Sequence, residues 1–74
     1  MFTILYETSS GVRATQSFDS TDRHKLTRHI ATFNCRVIEV YEQATPITNT
    51  VRRRLEEYPG AKSRHAIAFV NSLR

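Results

Sequence analysis

Two runs of alternating hydrophobic and polar residues begin the sequence. The first, residues 2–7, places Phe2 and Ile4 on one face, and the second covers residues 12–18. Alternation with a period of two, in residues that favour extended backbone, predicts a β-strand for each run. Gly11 lies between the runs and can adopt the positive φ of a tight turn. The pattern therefore predicts a β-hairpin.

A helix and a third strand are predicted next. Potential N-cap residues cluster at positions 19–22, and Leu26, Ile30 and Phe33 follow at helical spacing, so the helix is expected to end near Phe33. Residues 36–42 have strand composition, but their hydrophobic residues do not alternate strictly, which makes both faces of the sheet partly apolar. The predicted helix covers one face. We expect the C-terminal helices or a second subunit to cover the other.

Two more helices are predicted in the C-terminal part of the chain. Proline is well tolerated at the first helical position, so the first of them is expected to begin at Thr45 and Pro46. Pro59 and Gly60 end it, and Ser63 can cap the second. Each has one apolar face, formed by Ile47, Val51, Leu55 and Tyr58 in the first and by Ala66, Ile67, Val70 and Leu73 in the second.

The predicted fold class is α+β, in a single domain over residues 1–74. Residues 1–43 form a ββαβ core, and residues 45–74 form a helical hairpin. A helical crossover places the third strand parallel to the second and most simply beside the first, so the three-stranded sheet has the order 2-1-3 with the helix on one face. The second and third strands are then the sheet edges, where another chain can pair.

The chain is short for an independent domain. Its 74 residues form a small core, which makes a second source of stability valuable. Cys35 is the only cysteine, so neither an internal disulfide nor a thiolate-rich zinc site can form. The remaining sources of stability are good helical packing and self-association, and of these we favour a homodimer. Neither a signal peptide nor a membrane-spanning run is recognised, and we expect a cytoplasmic protein without membrane association.

The chain is basic, with a net charge of +4, and nine of its eleven basic residues are arginine. Arginine binds phosphate and carboxylate alike, so the charge fits either nucleic acid or an acidic protein surface. The arginines at residues 52–54 can instead form a solvated helix face, with Arg52 and Arg53 paired to Glu56 and Glu57. The candidate partner-binding residues are Lys25, Arg28, Arg52, Arg53 and Arg54.

The two C-terminal helices can also be interpreted as a helix-turn-helix. In that motif, residues near the start of the second helix reach base edges in the major groove. The candidate nucleic-acid contacts are then Arg52, Arg53, Arg64, His65 and Asn71. The second helix is short and largely apolar, which favours packing on the sheet instead. Glu7, Glu39 and Glu42 make the strands acidic, which favours a protein partner there and leaves nucleic acid to the helices.

No catalytic, metal or cofactor site is recognised in the sequence. His24 and His29 are five residues apart, and no cysteine or carboxylate completes a ligand set with them or with His65. With two glycines, the chain can form neither a P-loop nor a dinucleotide-binding fingerprint. We therefore expect a protein without enzymatic activity and without a cofactor.

Residues 1–43 resemble a broad group of small bacteriophage accessory proteins. The resemblance is carried by the strand at residues 2–6, the turn at residues 10–13, the helix entry at residues 17–20 and the strand at residues 37–41. It is one of layout, and no functional residue is carried over. Some members of that group bind and inhibit host machines, including RNA polymerase and CRISPR effector complexes. The resemblance implies a binder of a host protein or ribonucleoprotein complex; a small DNA- or RNA-binding regulator is the alternative.

Overall fold

The structure, a computed structural model, describes residues 1–72 and contains four strands and three helices. In chain order they are β1 (Phe2–Glu7), β2 (Arg13–Phe18), α1 (Arg23–Ala31), β3 (Arg36–Glu42), β4 (Thr45–Pro46), α2 (Thr48–Glu57) and α3 (Arg64–Asn71). The predicted α+β class is confirmed. The element order differs from the prediction at β4, which stands between β3 and the last two helices.

The sheet has the strand order β2-β1-β3-β4, and each neighbouring pair is antiparallel. The predicted position of β3, beside β1 and parallel to β2, is confirmed. The predicted number of three strands is wrong, because Thr45 and Pro46 pair with Glu42 and Tyr41 and so add a fourth. As a result β3 is an internal strand, and the sheet edges are β2 and β4.

Pro46 lies in an edge strand rather than at the start of a helix. The chain reverses after β3 with Gln43 at a φ of 55°, and the Ile47 N–H then donates to the Val40 carbonyl at 2.8 Å. Proline has no N–H to contribute, which an edge strand tolerates. Helix α2 therefore begins only at Thr48, whose hydroxyl accepts a hydrogen bond from the Val40 N–H at 3.0 Å.

A β-bulge in β3 explains why its hydrophobic residues do not alternate. The register between β1 and β3 shifts at Ile38, between the pairs made by Val37 and Glu39. One extra residue shifts the side-chain alternation by one position. Val37 and Val40 are therefore buried on the same side of the sheet. The bulge thus explains part of the sequence pattern that predicts two partly apolar sheet faces, because it brings Val37 and Val40 to one face.

All three helices pack on the same face of the sheet. One continuous buried cluster joins β1 and β3 to the helices, and its members are Phe2, Ile4, Leu26, Ile30, Ala31, Val37, Val40, Ile47, Val51, Leu55, Ala66 and Phe69. The other face carries Thr3, Leu5 and Thr15, none of which is buried. The expectation that the C-terminal helices cover this second face is therefore wrong, since they share the first face with α1.

The first two helices follow their predicted apolar patterns with changed bounds. Asp22 caps α1 by accepting a hydrogen bond from the His24 N–H at 2.9 Å, but α1 ends at Ala31, before Phe33. Phe33 packs edge-to-face against Tyr6 instead, with ring centroids 5.3 Å apart. The predicted apolar face of α2 is confirmed, with its first three members buried and the last packed at the edge of the core.

The apolar face of α3 is only partly as predicted. Ala66 is buried, but its buried neighbour is Phe69, whereas Ile67 remains 49% exposed. Val70 packs against the edge of the core. Leu73 lies outside the described residues. The helix is therefore rotated relative to the predicted face, because the large ring of Phe69 takes the buried position.

Candidate functional site

The consecutive arginines at residues 52–54 point in three different directions. Successive residues of an α-helix are about 100° apart around its axis. Arg52 lies against α3, where its Nε donates to the Phe69 carbonyl at 3.0 Å and its guanidinium carbon is 4.6 Å from the Phe69 ring centroid. Its Nη1 also donates to Asn49 Oδ1 at 3.0 Å. Arg52 therefore links α2 to α3, and its charge is used inside the fold.

Charge pairing elsewhere leaves the helices with the excess positive charge. The two ion pairs predicted within α2 do not form; among residues 1–72 the salt bridges are Arg23–Glu42 at 2.6 Å and Arg36–Glu7 at 3.1 Å. Glu39 accepts a hydrogen bond from the Thr48 hydroxyl. The carboxylates of the strands are thus all bonded within the chain. The acidic surface that we predicted for the strands is largely cancelled, which weakens the expectation of a partner at the sheet face.

Two of the predicted anchors on α1 lie beside an aromatic ring. Lys25 and Arg28 are exposed and line an open depression of about 570 Å³ together with Tyr58. Tyr58 follows the last residue of α2 and is half-buried. Because α1 and α2 pack against each other, basic side chains of one helix share a depression with the aromatic ring at the end of the other. Phe18 and His29 also line the depression.

Further basic side chains border the same ring. Arg54 of α2 and His24 of α1 line a second, smaller depression with Tyr58. Lys62, in the α2–α3 connection, donates to the Tyr58 carbonyl at 2.7 Å, and its Nζ is 6.0 Å from the ring centroid. Glu57 contributes a carboxylate to the rim. We call this group the Tyr58 surface; it consists of Tyr58, His24, Lys25, Arg28, Arg54 and Lys62.

The end of α2 determines where the Tyr58 ring lies. Proline disfavours helical backbone in the residue before it, and Tyr58, which precedes Pro59, is extended with φ −68° and ψ 123°. The ring then lies over Gly60, where a Cβ atom would overlap the ring. The same Pro-Gly pair that ends the helix therefore also positions the aromatic ring at the surface.

The structure divides the predicted partner-binding residues into three groups. Lys25, Arg28 and Arg54 come together in the Tyr58 surface. Arg53 is exposed on a separate side of α2, and Arg52 is engaged with α3. Sequence reasoning missed Tyr58, which was assigned to the core face of α2, and Lys62. A tyrosine at the end of an apolar stripe, directly before Pro-Gly, was the available signal, because tyrosine combines an apolar ring with a polar tip.

Two of the five predicted nucleic-acid contacts are not fully exposed. Ser63, at the start of α3, donates its hydroxyl hydrogen to the Phe33 carbonyl at 2.9 Å, and its N–H donates to the Ala31 carbonyl at 2.7 Å. The start of α3 is therefore packed against the end of α1. His65 is half-buried beside Glu7. Of the five candidates, Arg53, Arg64 and Asn71 are exposed, while Arg52 lies in the seam between α2 and α3.

Cys35 borders one surface depression together with His29 and another together with His65. His29 stacks on Phe18 with centroids 4.9 Å apart and forms a 3.1 Å hydrogen bond with Gln16, and its partial burial lowers its pKa from 6.5. Cys35 is a half-buried free thiol. Within residues 1–72, no group of three or more histidine, cysteine and acidic side chains is arranged to hold a metal ion. In the same part of the chain, no helix has the length and apolar character needed to cross a membrane.

Comparison with known proteins gives no relative to guide the assignment. No protein-family model, curated protein or solved structure matches this chain. The functional argument therefore depends on the Tyr58 surface itself.

Proposed function

We propose that this protein is a non-enzymatic interaction protein that binds an acidic surface of a host protein or ribonucleoprotein complex through its Tyr58 surface. The observation that carries the proposal is the convergence of cations from α1, α2 and the α2–α3 connection on one half-buried tyrosine ring. The resemblance of residues 1–43 to phage accessory proteins supplies the class of partner and the cytoplasmic setting.

The composition of the Tyr58 surface suits binding to a macromolecule. Tyrosine and arginine are enriched among the residues that dominate binding energy, because a rigid ring gives contact area at low entropic cost and a guanidinium gives forked hydrogen bonds. The ring of Tyr58 is already held by Gly60 beneath it and Lys62 beside it. A positioned aromatic group with basic side chains around it is the arrangement expected for an anchor with an electrostatic rim.

A protein surface is favoured over duplex DNA for a structural reason. Helix-turn-helix recognition needs the first turn of the second helix to enter the major groove. Here Ser63 holds that turn against α1, and His65 is half-buried beside the sheet. The cations of the Tyr58 surface lie instead around a shallow depression between α1 and the end of α2. This shape fits a convex acidic group better than a groove-inserted helix.

The test compares two variants that change the total charge equally. Lys25→Glu/Arg28→Glu alters the Tyr58 surface, whereas Arg53→Glu/Arg64→Glu alters exposed residues outside it. Each is immobilised beside the wild type and exposed to bacterial lysate with and without nuclease treatment, and the amount of the main retained protein is measured. We expect retention to fall at least about tenfold in the first variant and less than about twofold in the second.

Two results would contradict the proposal. Equal losses in both variants would show that only the total charge matters. Loss of the retained protein on nuclease treatment, together with binding of a mixed-sequence duplex that weakens steeply with salt, would assign the cations to nucleic acid.

A further inference from the structure

The two edges of the sheet are built differently. The β4 edge is two residues long and contains Pro46, features that prevent pairing with another strand. The β2 edge is six residues long, its ladder with β1 is regular, and it contains neither proline nor lysine. Folded proteins normally protect an open edge of this kind by one of those devices. The β2 edge lacks them and is available for pairing.

The hairpin turn determines which backbone groups of β2 face outward. The turn is closed by the Thr8 N–H, which donates to the Val12 carbonyl at 2.9 Å. Hydrogen-bonded pairs alternate with non-bonded pairs along an antiparallel ladder. Counting from Val12 along the register, Arg13, Thr15 and Ser17 direct their N–H and C=O groups away from β1. Their side chains lie on the sheet face that carries no helix.

Opposite charges stand unpaired at the two ends of this edge. Arg13 begins β2, and Asp19 directly follows its last residue; both side chains are exposed. Neither takes part in a salt bridge within residues 1–72, because Glu7, the cross-strand neighbour of Arg13, is bonded to Arg36. An edge with a free cation at one end and a free anion at the other is complementary to an antiparallel copy of itself.

We propose that β2 pairs antiparallel with β2 of a second copy of this chain, about a two-fold axis at Gln16, so that the two sheets become one. A two-fold axis perpendicular to the sheet keeps each side chain on the same face of the joined sheet. The axis passes between the two β2 strands, so the residue beside the axis lies opposite its own copy. With Gln16 at the axis, Thr15 lies opposite the partner's Ser17, and Arg13 lies opposite the partner's Asp19. Both ends of the interface then carry an ion pair.

The other registers leave this complementarity unused. With Thr15 at the axis, Arg13 would lie opposite the partner's Ser17, and Asp19 would have no cation to meet. The Gln16 register also places Ala14 opposite the partner's Phe18, a small side chain beside a large one on the helix-covered face. Gln16 itself bonds to His29 through its Oε1, which leaves its amide hydrogens free at the axis. Charge and side-chain size thus favour a second copy of the chain as the pairing strand and Gln16 as the residue at the axis.

The central test is a charge exchange, read as mass by sedimentation equilibrium over a concentration series. The wild type should approach twice the chain mass of 8.6 kDa at high concentration. Arg13→Asp alone and Asp19→Arg alone each place like charges opposite one another, and each should weaken dimerisation at least about tenfold. The double variant Arg13→Asp/Asp19→Arg should restore it. Since both residues are exposed, the urea midpoint of the monomer serves as a check on folding.

A second measurement tests the backbone pairing directly. Amide hydrogen exchange of Thr15 and Ser17 should slow with rising concentration, because these central outward N–H groups become bonded in the dimer. Thr15→Pro removes one of them without removing a bond to β1, and it should abolish the dimer. A wild-type mass of 8.6 kDa at every concentration would overturn the proposal. So would a dimer that survives Thr15→Pro, or one that the double charge variant fails to restore.

Discussion

The sharpest stability prediction concerns two neighbouring arginines that the sequence presents as equivalent. Arg52 donates to the Phe69 carbonyl at 3.0 Å and lies over the Phe69 ring, so it holds α3 against α2. Arg53 is exposed and forms no salt bridge within the described chain. Replacing each by alanine removes the same charge. The difference in stability between the two variants therefore measures the structural role of Arg52.

The expected magnitude follows from the contacts of Arg52. A hydrogen bond to a charged group contributes about 1.5–3 kcal/mol to the free energy of unfolding, with the lower end fitting a half-buried donor. The cation–π contact adds about 0.5–1 kcal/mol. Ordering the long side chain costs up to about 2 kcal/mol and offsets part of this gain. We therefore expect Arg52→Ala to lower the free energy of unfolding by about 1–2 kcal/mol, and Arg53→Ala to change it by less than about 0.5 kcal/mol.

Urea unfolding followed by circular dichroism measures the difference. For a small domain with a slope near 1 kcal/mol per molar urea, the midpoint should fall by about 1–2 M in Arg52→Ala and stay nearly unchanged in Arg53→Ala. Arg52→Lys keeps the positive charge without the Nε donor and should recover only part of the loss. Equal midpoints for the two alanine variants would refute the structural role of Arg52.

Three further predictions concern His29, Ser63 and Gly60. Burial lowers the pKa of His29 from 6.5, so the unfolded chain binds the proton before the folded chain does as the pH falls. The contribution of neutral His29 to stability should therefore be complete above about pH 6.5 and decrease below it. His29→Gln should make the urea midpoint less dependent on pH. Ser63→Ala removes the cap of α3 and the bond to the Phe33 carbonyl, and should cost about 1–3 kcal/mol, whereas Thr50→Ala at an exposed site should cost almost nothing. Gly60→Ala should displace the Tyr58 ring, because the added Cβ would overlap it. The amount of partner protein retained from lysate should then fall as it does in Lys25→Glu/Arg28→Glu. The urea midpoint should change much less than in Ser63→Ala.

The parts of the fold predicted correctly are those set by local periodicity. The hairpin, α1 and the apolar face of α2 follow from patterns within a few residues, and the crossover rule then places β3 beside β1. Strand β4 was missed because the Thr45–Pro46 pair fits a helix start as well as an edge strand. The choice between them depends on the reversal at Gln43 and on the bond from the Ile47 N–H to β3, which are contacts made only after folding.

The site was harder to predict than the fold because charge in sequence does not determine direction in space. Residues 52–54 look like one basic run, yet Arg52 faces α3 and Arg54 faces α1. The acidic strands lose their surface charge to arginines far away in sequence, since Glu42 bonds to Arg23 and Glu7 to Arg36. Pairing over such separations depends on the packing of whole elements, which residue spacing alone does not specify.

Lys25 and Arg28 connect the Tyr58 surface to the proposed dimer. They line the depression that Phe18, the last residue of β2, also borders. A two-fold axis perpendicular to the sheet places both α1 helices on the same face of the joined sheet, and in that proposed dimer we expect their basic flanks to repel each other and to oppose pairing. An acidic partner bound between them removes this repulsion, and by linkage dimerisation then strengthens partner binding by the same factor.

This coupling predicts opposite effects of one variant in two assays. The informative variant is the neutral Lys25→Gln/Arg28→Gln, which removes the repulsion between the two α1 helices. Lys25→Glu/Arg28→Glu does not remove it, because the glutamates of one copy still repel those of the other. The neutral variant should therefore retain less partner from lysate and yet dimerise several-fold more tightly than the wild type in sedimentation equilibrium. A neutral variant that dimerises no more tightly than the wild type would show that the α1 flanks stay apart in the dimer, and that partner binding and dimerisation are independent.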